Sequence, residues 1–175
     1  VIIDGAGSTV FSSPAWISTA GDINNDDDAD NPGTIIVTPA MRFLRIGNRG
    51  GDNSGIDVTV KNLNCEQLNN FAKGEDDVSL TLENVTVEGN RSIAPTEDRF
   101  IAGSFEDLTI KDSTLSNAVT FAEAVYVGDS LWTFAGGIAG SGNLVMENVT
   151  MRNNLSDGAV LWTGGTVTIV SSRFI

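Results

Sequence analysis

An eight-residue pattern that recurs five times without an internal gap constrains this chain more than any other feature. Val58-Thr-Val-Lys-Asn-Leu-Asn-Cys65 is followed by Leu80-Thr-Leu-Glu-Asn-Val-Thr-Val87 and Leu108-Thr-Ile-Lys-Asp-Ser-Thr-Leu115. Leu144-Val-Met-Glu-Asn-Val-Thr-Met151 and Val167-Thr-Ile-Val-Ser-Ser-Arg-Phe174 complete the set. Successive starts lie 22, 28, 36 and 23 residues apart. Positions one and three are apolar throughout and alternate with residues that are polar except at Val145 and Val170, the period of a strand with one buried face. Position eight is also apolar: Cys65, Val87, Leu115, Met151 and Phe174. Position five holds Asn62, Asn84, Asp112, Asn148 or Ser171, small polar residues that tolerate left-handed backbone and bond to nearby groups. The pattern predicts a strand, a one-residue corner and a second short strand, with the corner residues stacked in a polar ladder.

A period near 22 residues is too short for a βαβ unit, and no segment carries helical spacing. The fold expected is all-β, a right-handed parallel β-helix (β-solenoid) of about six coils. Each coil then buries its apolar side chains only when another covers it, and insertions fall in the loops. A third strand is expected before most repeats, at Arg42–Ile46, Arg99–Ala102, Leu131–Thr133 and Leu161–Thr163. The pair Leu131-Trp-Thr…Gly136-Gly137 and Leu161-Trp-Thr-Gly164-Gly165 forms a second internal echo. Residues 1–175 read as one domain: 1–50 are irregular first coils, with a strand at Val1–Ile3, an acidic loop at 21–33 and a strand at Thr34–Thr38, and 51–175 are regular coils. Phe174-Ile175 stops inside a coil, so the chain is expected to be a fragment of a longer solenoid or to be capped there, for instance by a second copy stacking end to end.

These residues resemble right-handed β-helix surface proteins: polymorphic outer-membrane proteins, autotransporter passengers and adhesin-like repeats. The matching elements are Ile3-Asp-Gly-Ala-Gly7, Arg42-Phe-Leu-Arg-Ile-Gly47, Asn-Val-Thr-Val-Glu-Gly-Asn90 and Gly136-Gly-Ile138…Asn-Val-Thr-Met-Arg-Asn-Asn154. The likeness spans nearly the whole chain. It departs where the family's Phe before x-x-Asn is Val87, Leu115 or Met151, and where glycine pairs are missing from the middle coils. It implies a secreted or cell-surface location, of bacterial outer-surface type. The implied role is a non-enzymatic scaffold or adhesin segment whose loops meet a host surface, a glycan or another protein. The same architecture also serves pectin-lyase-like polysaccharide lyases and glycoside hydrolases, and filament or surface-layer subunits that associate end to end.

Charge and composition narrow these classes. Ten Lys and Arg against 23 Asp and Glu give a net charge of −13, which opposes nucleic acid and other polyanions. No histidine is present, which removes the commonest general base and transition-metal ligand. One cysteine, Cys65, excludes an internal disulfide and reads as a buried thiol. No apolar run approaches the roughly 18 residues of a membrane span, so no insertion by this segment is expected.

The sharpest chemical feature is Gly21-Asp-Ile-Asn-Asn-Asp-Asp-Asp-Ala-Asp30. Asp22, Asn24, Asp26, Asp28 and Asp30 alternate as in loops that wrap oxygen ligands around calcium, although Asp27 replaces the turn glycine and Gly33 the bidentate acid. The competing reading is a solvated acidic insertion. Glu75-Asp76-Asp77 reads as a solvated turn. Outward position two gives Thr59, Thr81, Thr109, Val145 and Thr168, similar to ice-binding arrays, but Thr favours strands in any case and the charged row beside it breaks a flat, regular plane. Position four gives Lys61, Glu83, Lys111, Glu147 and Val170, alternating in sign as a self-supporting face requires. An enzyme would need Asp112, Lys111 and Glu83 as its acid–base set, yet Asp112 stands where other repeats place Asn. Trp132 and Trp162 suit either a sugar-stacking platform or mutual packing. Asn84, Asn90, Asn148 and Asn154 sit in N-x-Ser/Thr sequons, two of which arise from the repeat itself.

Overall fold

Aliphatic and β-branched residues alternating with Thr, Lys and Glu suit a pleated surface with one face buried. The computed structural model describes residues 1–11, 16–19, 35–38, 43–48, 50–66, 71–89, 100–117, 126–127, 130–131, 137–154 and 159–175. All regular structure among them is β. In chain order the strands are β1 (Ile2–Phe11), β2 (Trp16–Thr19), β3 (Ile35–Thr38), β4 (Leu44–Ile46) and β5 (Asp57–Glu66). There follow β6 (Ala72–Glu88), β7 (Ile101–Lys111), β8 (Thr114–Ser116), β9 (Tyr126–Val127) and β10 (Ser130–Leu131). The last are β11 (Ile138–Glu147), β12 (Thr150–Arg152), β13 (Val160–Thr163), β14 (Val167–Val170) and β15 (Arg173–Phe174).

Eleven of these strands form one curled sheet in which every pairing is parallel. Three stacks share it. The first runs from β4 through residues 72–74, 101–103 and 138–140 to β13. The second joins residues 2–4, 58–61, 80–83, 108–111, 144–147 and 167–170. The third passes from 8–11 through 63–66, 85–88, β8 and β12 to β15.

The five repeats enter the second stack in the register that their alignment predicts, with Val58, Leu80, Leu108, Leu144 and Val167 opposite one another. Val60, Leu82, Ile110 and Met146 share one row and are fully buried. Cys65, Val87, Leu115 and Met151 form the position-eight row in the third stack, also buried. Each such side chain contributes about 1.5–3 kcal/mol.

Two regularities escape the sequence alignment. Position six is interior as well, holding Leu63, Val85, Ser113 and Val149. The pattern also has a further copy at the start, where Ile3 faces Val60, Asp4 faces Lys61 and Ser8 faces Leu63. Three residues, Gly5, Ala6 and Gly7, occupy the corner that later repeats turn with one, so a gapless alignment passes over it.

Other expectations need correction. The opening strand extends from Ile2 to Phe11, far beyond Ile3. The tryptophan echo is not an echo in register: Leu161 pairs with Ala139 and Trp162 with Gly140. Leu131 belongs instead to an antiparallel pair of β10 with β9. The segment that precedes the fourth repeat in the first stack is Ile138–Gly140, because it, and not Leu131, meets Ile101–Gly103. A second antiparallel pair, β2 with β3, lies between β1 and β4. Arg42, Arg99 and Thr34 fall outside the described residues.

Candidate functional site

The corners between the second and third stacks are built as the sequence pattern requires. Asn62, Asn84 and Asn148 each have φ 53°, Asp112 has φ 49° and Ser171 φ 51°, all left-handed. A left-handed residue costs little when it is Asn or Asp, whose side chain bonds locally. Those side chains also bond along the stack: Asn84 Nδ2 donates to Asn62 Oδ1 at 2.9 Å, and Asn62 Nδ2 to Asp4 Oδ1 at 3.1 Å. Asn148 Nδ2 donates to Asp112 Oδ1 at 2.7 Å. Asn117 (φ 60°) and Asn153 (φ 53°) make a second set of left-handed turns after the third stack.

Position four forms the charged row on the outer face of the second stack. Asp4, Lys61, Glu83, Lys111 and Glu147 lie in register, with signs alternating from strand to strand. Lys61 Nζ is 3.4 Å from Asp4 Oδ2, and Lys111 Nζ is 3.8 Å from Glu147 Oε2. The backbone N–H of Ala6, with Asn62 and Lys61, holds the Asp4 carboxyl below the usual range. The structure brings the enzyme trio together, Glu83 opposite Lys111 in the charged row and Asp112 next in the chain, with Asp112 accepting from Asn148 in the corner ladder.

Glu75 departs most from its sequence reading. It is not a solvated turn residue: its side chain is only 10% exposed. Arg45 Nη2 and Nε reach Glu75 Oε1 at 3.0 and 3.1 Å, and Lys73 Nζ reaches the same oxygen at 3.3 Å. Burial pushes this carboxyl up, but Lys73 and Arg45 outweigh it and hold the group below the usual range. Asp77, two residues on, is left-handed at φ 62° where the register of β6 against β7 shifts. Only the pairing of β4 with β6, 30 residues apart, reveals this cluster.

Trp162 is half-buried and stacks on Phe105, centroids 6.3 Å apart at 16°, while its Nε1 donates to Gly142 O at 2.8 Å. Gly74, Gly103 and Gly140 are consecutive partners in the first stack. A Cβ on Gly140 would strike Gly103 O and stand 2.9 Å from the Trp162 ring, so the bare backbone seats the indole. Trp132 falls outside the described residues, as do Asn90 and the proposed calcium ligands Asp22, Asn24, Asp26, Asp28 and Asp30. Asn84 and Asn148 spend their amide N–H groups in the corner ladder, and Asn154 Nδ2 donates to Leu115 O at 3.4 Å. Among the described residues no group of three His, Cys, Asp or Glu side chains is placed to hold a metal. Cys65 is buried, and desolvation pushes its thiol up to about 12. Large apolar side chains are exposed at Val1 and Ile2, and at Val167, Ile169, Val170, Phe174 and Ile175. Comparison with known protein families, with curated proteins and with solved structures finds no match to this chain.

Proposed function

We propose that the chain is a right-handed parallel β-helix of about six coils. In this reading it acts as an extracellular or cell-surface scaffold, a non-enzymatic adhesin segment that presents binding loops. The observation that carries the reading is the in-register stacking of repeats separated by 22, 28, 36 and 23 residues. The spacing varies while the repeat rows keep their register, so most of the variation falls in connections between strands and the rest in local register shifts. A rigid column with variable connections is an arrangement that supports recognition by loops. Internal ladders already occupy Lys111, Asp112 and Asn148, which favours a structural over a catalytic role for that face.

Residues 21–33, 91–99 and 118–130 are the segments proposed to meet a glycan, a host surface or another protein. Asp22, Asn24, Asp26, Asp28 and Asp30 lie in the first of them, and their spacing would suit calcium. The test replaces each segment with a short Gly-Ser turn and measures binding to a glycan array and to intact host cells. Circular dichroism should keep its β signal while binding falls. Wild-type protein that binds neither target, yet releases unsaturated or reducing-end products from acidic polysaccharides, would replace this reading with a lyase or hydrolase. A filament subunit is the second reading, favoured by the exposed apolar strand β14. A monomer at every concentration in sizing experiments would remove it.

A further inference from the structure

Among the described residues, the three-residue strand β4 pairs within the main sheet with β6 alone. It is held there by the hydrogen bond from Leu44 N to Phe71 O (2.9 Å), by Phe43 stacked on Phe71 (5.3 Å), and by burial of Ile46. It is also held by charge. Arg45 and Lys73 are register partners on neighbouring parallel strands, which brings two cations together across about 4.8 Å of backbone. Like charges in such a pair repel. The carboxylate of Glu75 stands between them, and one of its oxygens meets both.

We propose that Arg45, Glu75 and Lys73 form an acid-released clasp that fastens β4 to the column. Protonation of Glu75 removes the one negative charge the cluster contains and leaves Arg45 against Lys73. The cluster then changes from attraction to repulsion without any other group titrating. The neighbouring acids on β6, Asp76 and Asp77, are exposed, as are Glu106 and Asp107 on β7, the strand packed on the other side. None of these four pairs with Arg45 or Lys73 within 4.0 Å, so none replaces Glu75. The burial of Glu75 adds to the effect, because its charge is poorly screened while the cations are half-exposed. By chain connection β4 follows the antiparallel pair of β2 and β3. Release would therefore free the chain on the C-terminal side of that pair and leave the rest of the column paired. The clasp does not depend on the adhesin reading.

The test is amide protection, corrected for intrinsic exchange, on the full chain. The reporter is the Leu44 amide, and the control is Ile101, whose amide bonds to Gly137 O at 3.2 Å. Glu75→Gln should lower Leu44 protection at neutral pH by about tenfold and leave Ile101 unchanged. Wild type should show the same selective loss as pH falls below the ordinary carboxylate range, and Glu75→Gln should show no further step. Adding Lys73→Met to Glu75→Gln should restore protection, since one cation alone has nothing to repel it. Unchanged Leu44 protection in Glu75→Gln would overturn the proposal. So would an equal loss at Leu44 and Ile101, or a failure of Lys73→Met to rescue.

Discussion

Ser113 shows how one side chain substitutes for another kind of interaction. It fills an interior slot that holds Leu63, Val85 and Val149 in other repeats, yet it carries a hydroxyl and is 3% exposed. Its Oγ donates to Lys111 O at 2.6 Å and accepts from Val85 N at 3.1 Å, so the buried hydroxyl and a buried backbone N–H satisfy each other. Ser172 repeats the device against Val149 N at 3.1 Å. Ser113→Ala should therefore lower stability by about 1–3 kcal/mol, the cost of an unsatisfied buried donor. Urea unfolding measures this, and a midpoint equal to wild type would show that the hydroxyl is dispensable. Cys65 makes a second residue-scale case. With its thiol pushed up to about 12 by burial, it should resist disulfide reagents near neutral pH in the folded protein and react once denaturant is added. Fast labelling of native protein would contradict its buried placement.

At the scale of the strand, the value of a side chain depends on what lies above and below it. Ile110 and Ile169 occupy the same repeat position, but Ile110 is fully buried between Leu82 and Met146 whereas Ile169 is 44% exposed. Ile110→Ala should cost about 2–5 kcal/mol. Ile169→Ala should cost markedly less, because part of its surface is already wet. Comparable losses in chemical denaturation would mean that β14 is covered in solution. The same dependence explains what was legible in the sequence. Rows such as Val60, Leu82, Ile110 and Met146 announce themselves because register preserves their spacing from the corner residue. The Glu75 clasp does not, since its partner Arg45 comes from a strand aligned by the fold and not by any shared motif. Leu161-Trp162 mimics Leu131-Trp132 in letters, yet pairs with Ala139-Gly140, because Leu131 is taken up in the antiparallel β9–β10 pair that precedes β11. Gly140 gives the missing signal: a glycine opposite an indole marks where the ring must lie. The acidic run 21–30 was readable as chemistry, but its ligand geometry lies outside the described residues.

For the molecule as a whole, local pairing and global repulsion act in opposite directions. Alternating charges along the position-four row attract, but their members are well exposed, with Lys61 at 35% and Glu147 at 57%, and such pairs contribute little in water. Against them stands a net charge of −13, which repels itself most strongly when the chain is compact. Salt weakens both, with a screening length near 10 Å at about 0.1 M. Because the repulsion is longer-ranged and involves more charges than the two exposed pairs, screening should remove more destabilisation than stabilisation. The unfolding midpoint should rise between low salt and about 0.2 M sodium chloride at neutral pH. Acid acts through a different term. Asp4 and Glu75 have folded values below their unfolded ones, so their contribution is present in full above the ordinary carboxylate range and is lost as pH falls through the lowered values. Early protonation of unpaired acids relieves repulsion, while later protonation of these two removes attraction. Stability followed by denaturant midpoint should hold or rise slightly as pH drops toward the carboxylate range and then fall steeply within it. Salt should flatten the rise and weaken the fall less at Glu75 than at Asp4, because the Glu75 side chain is 10% exposed and that of Asp4 44%. A midpoint that drops with added salt at neutral pH would reverse this ordering and make the surface ladders the dominant electrostatic term.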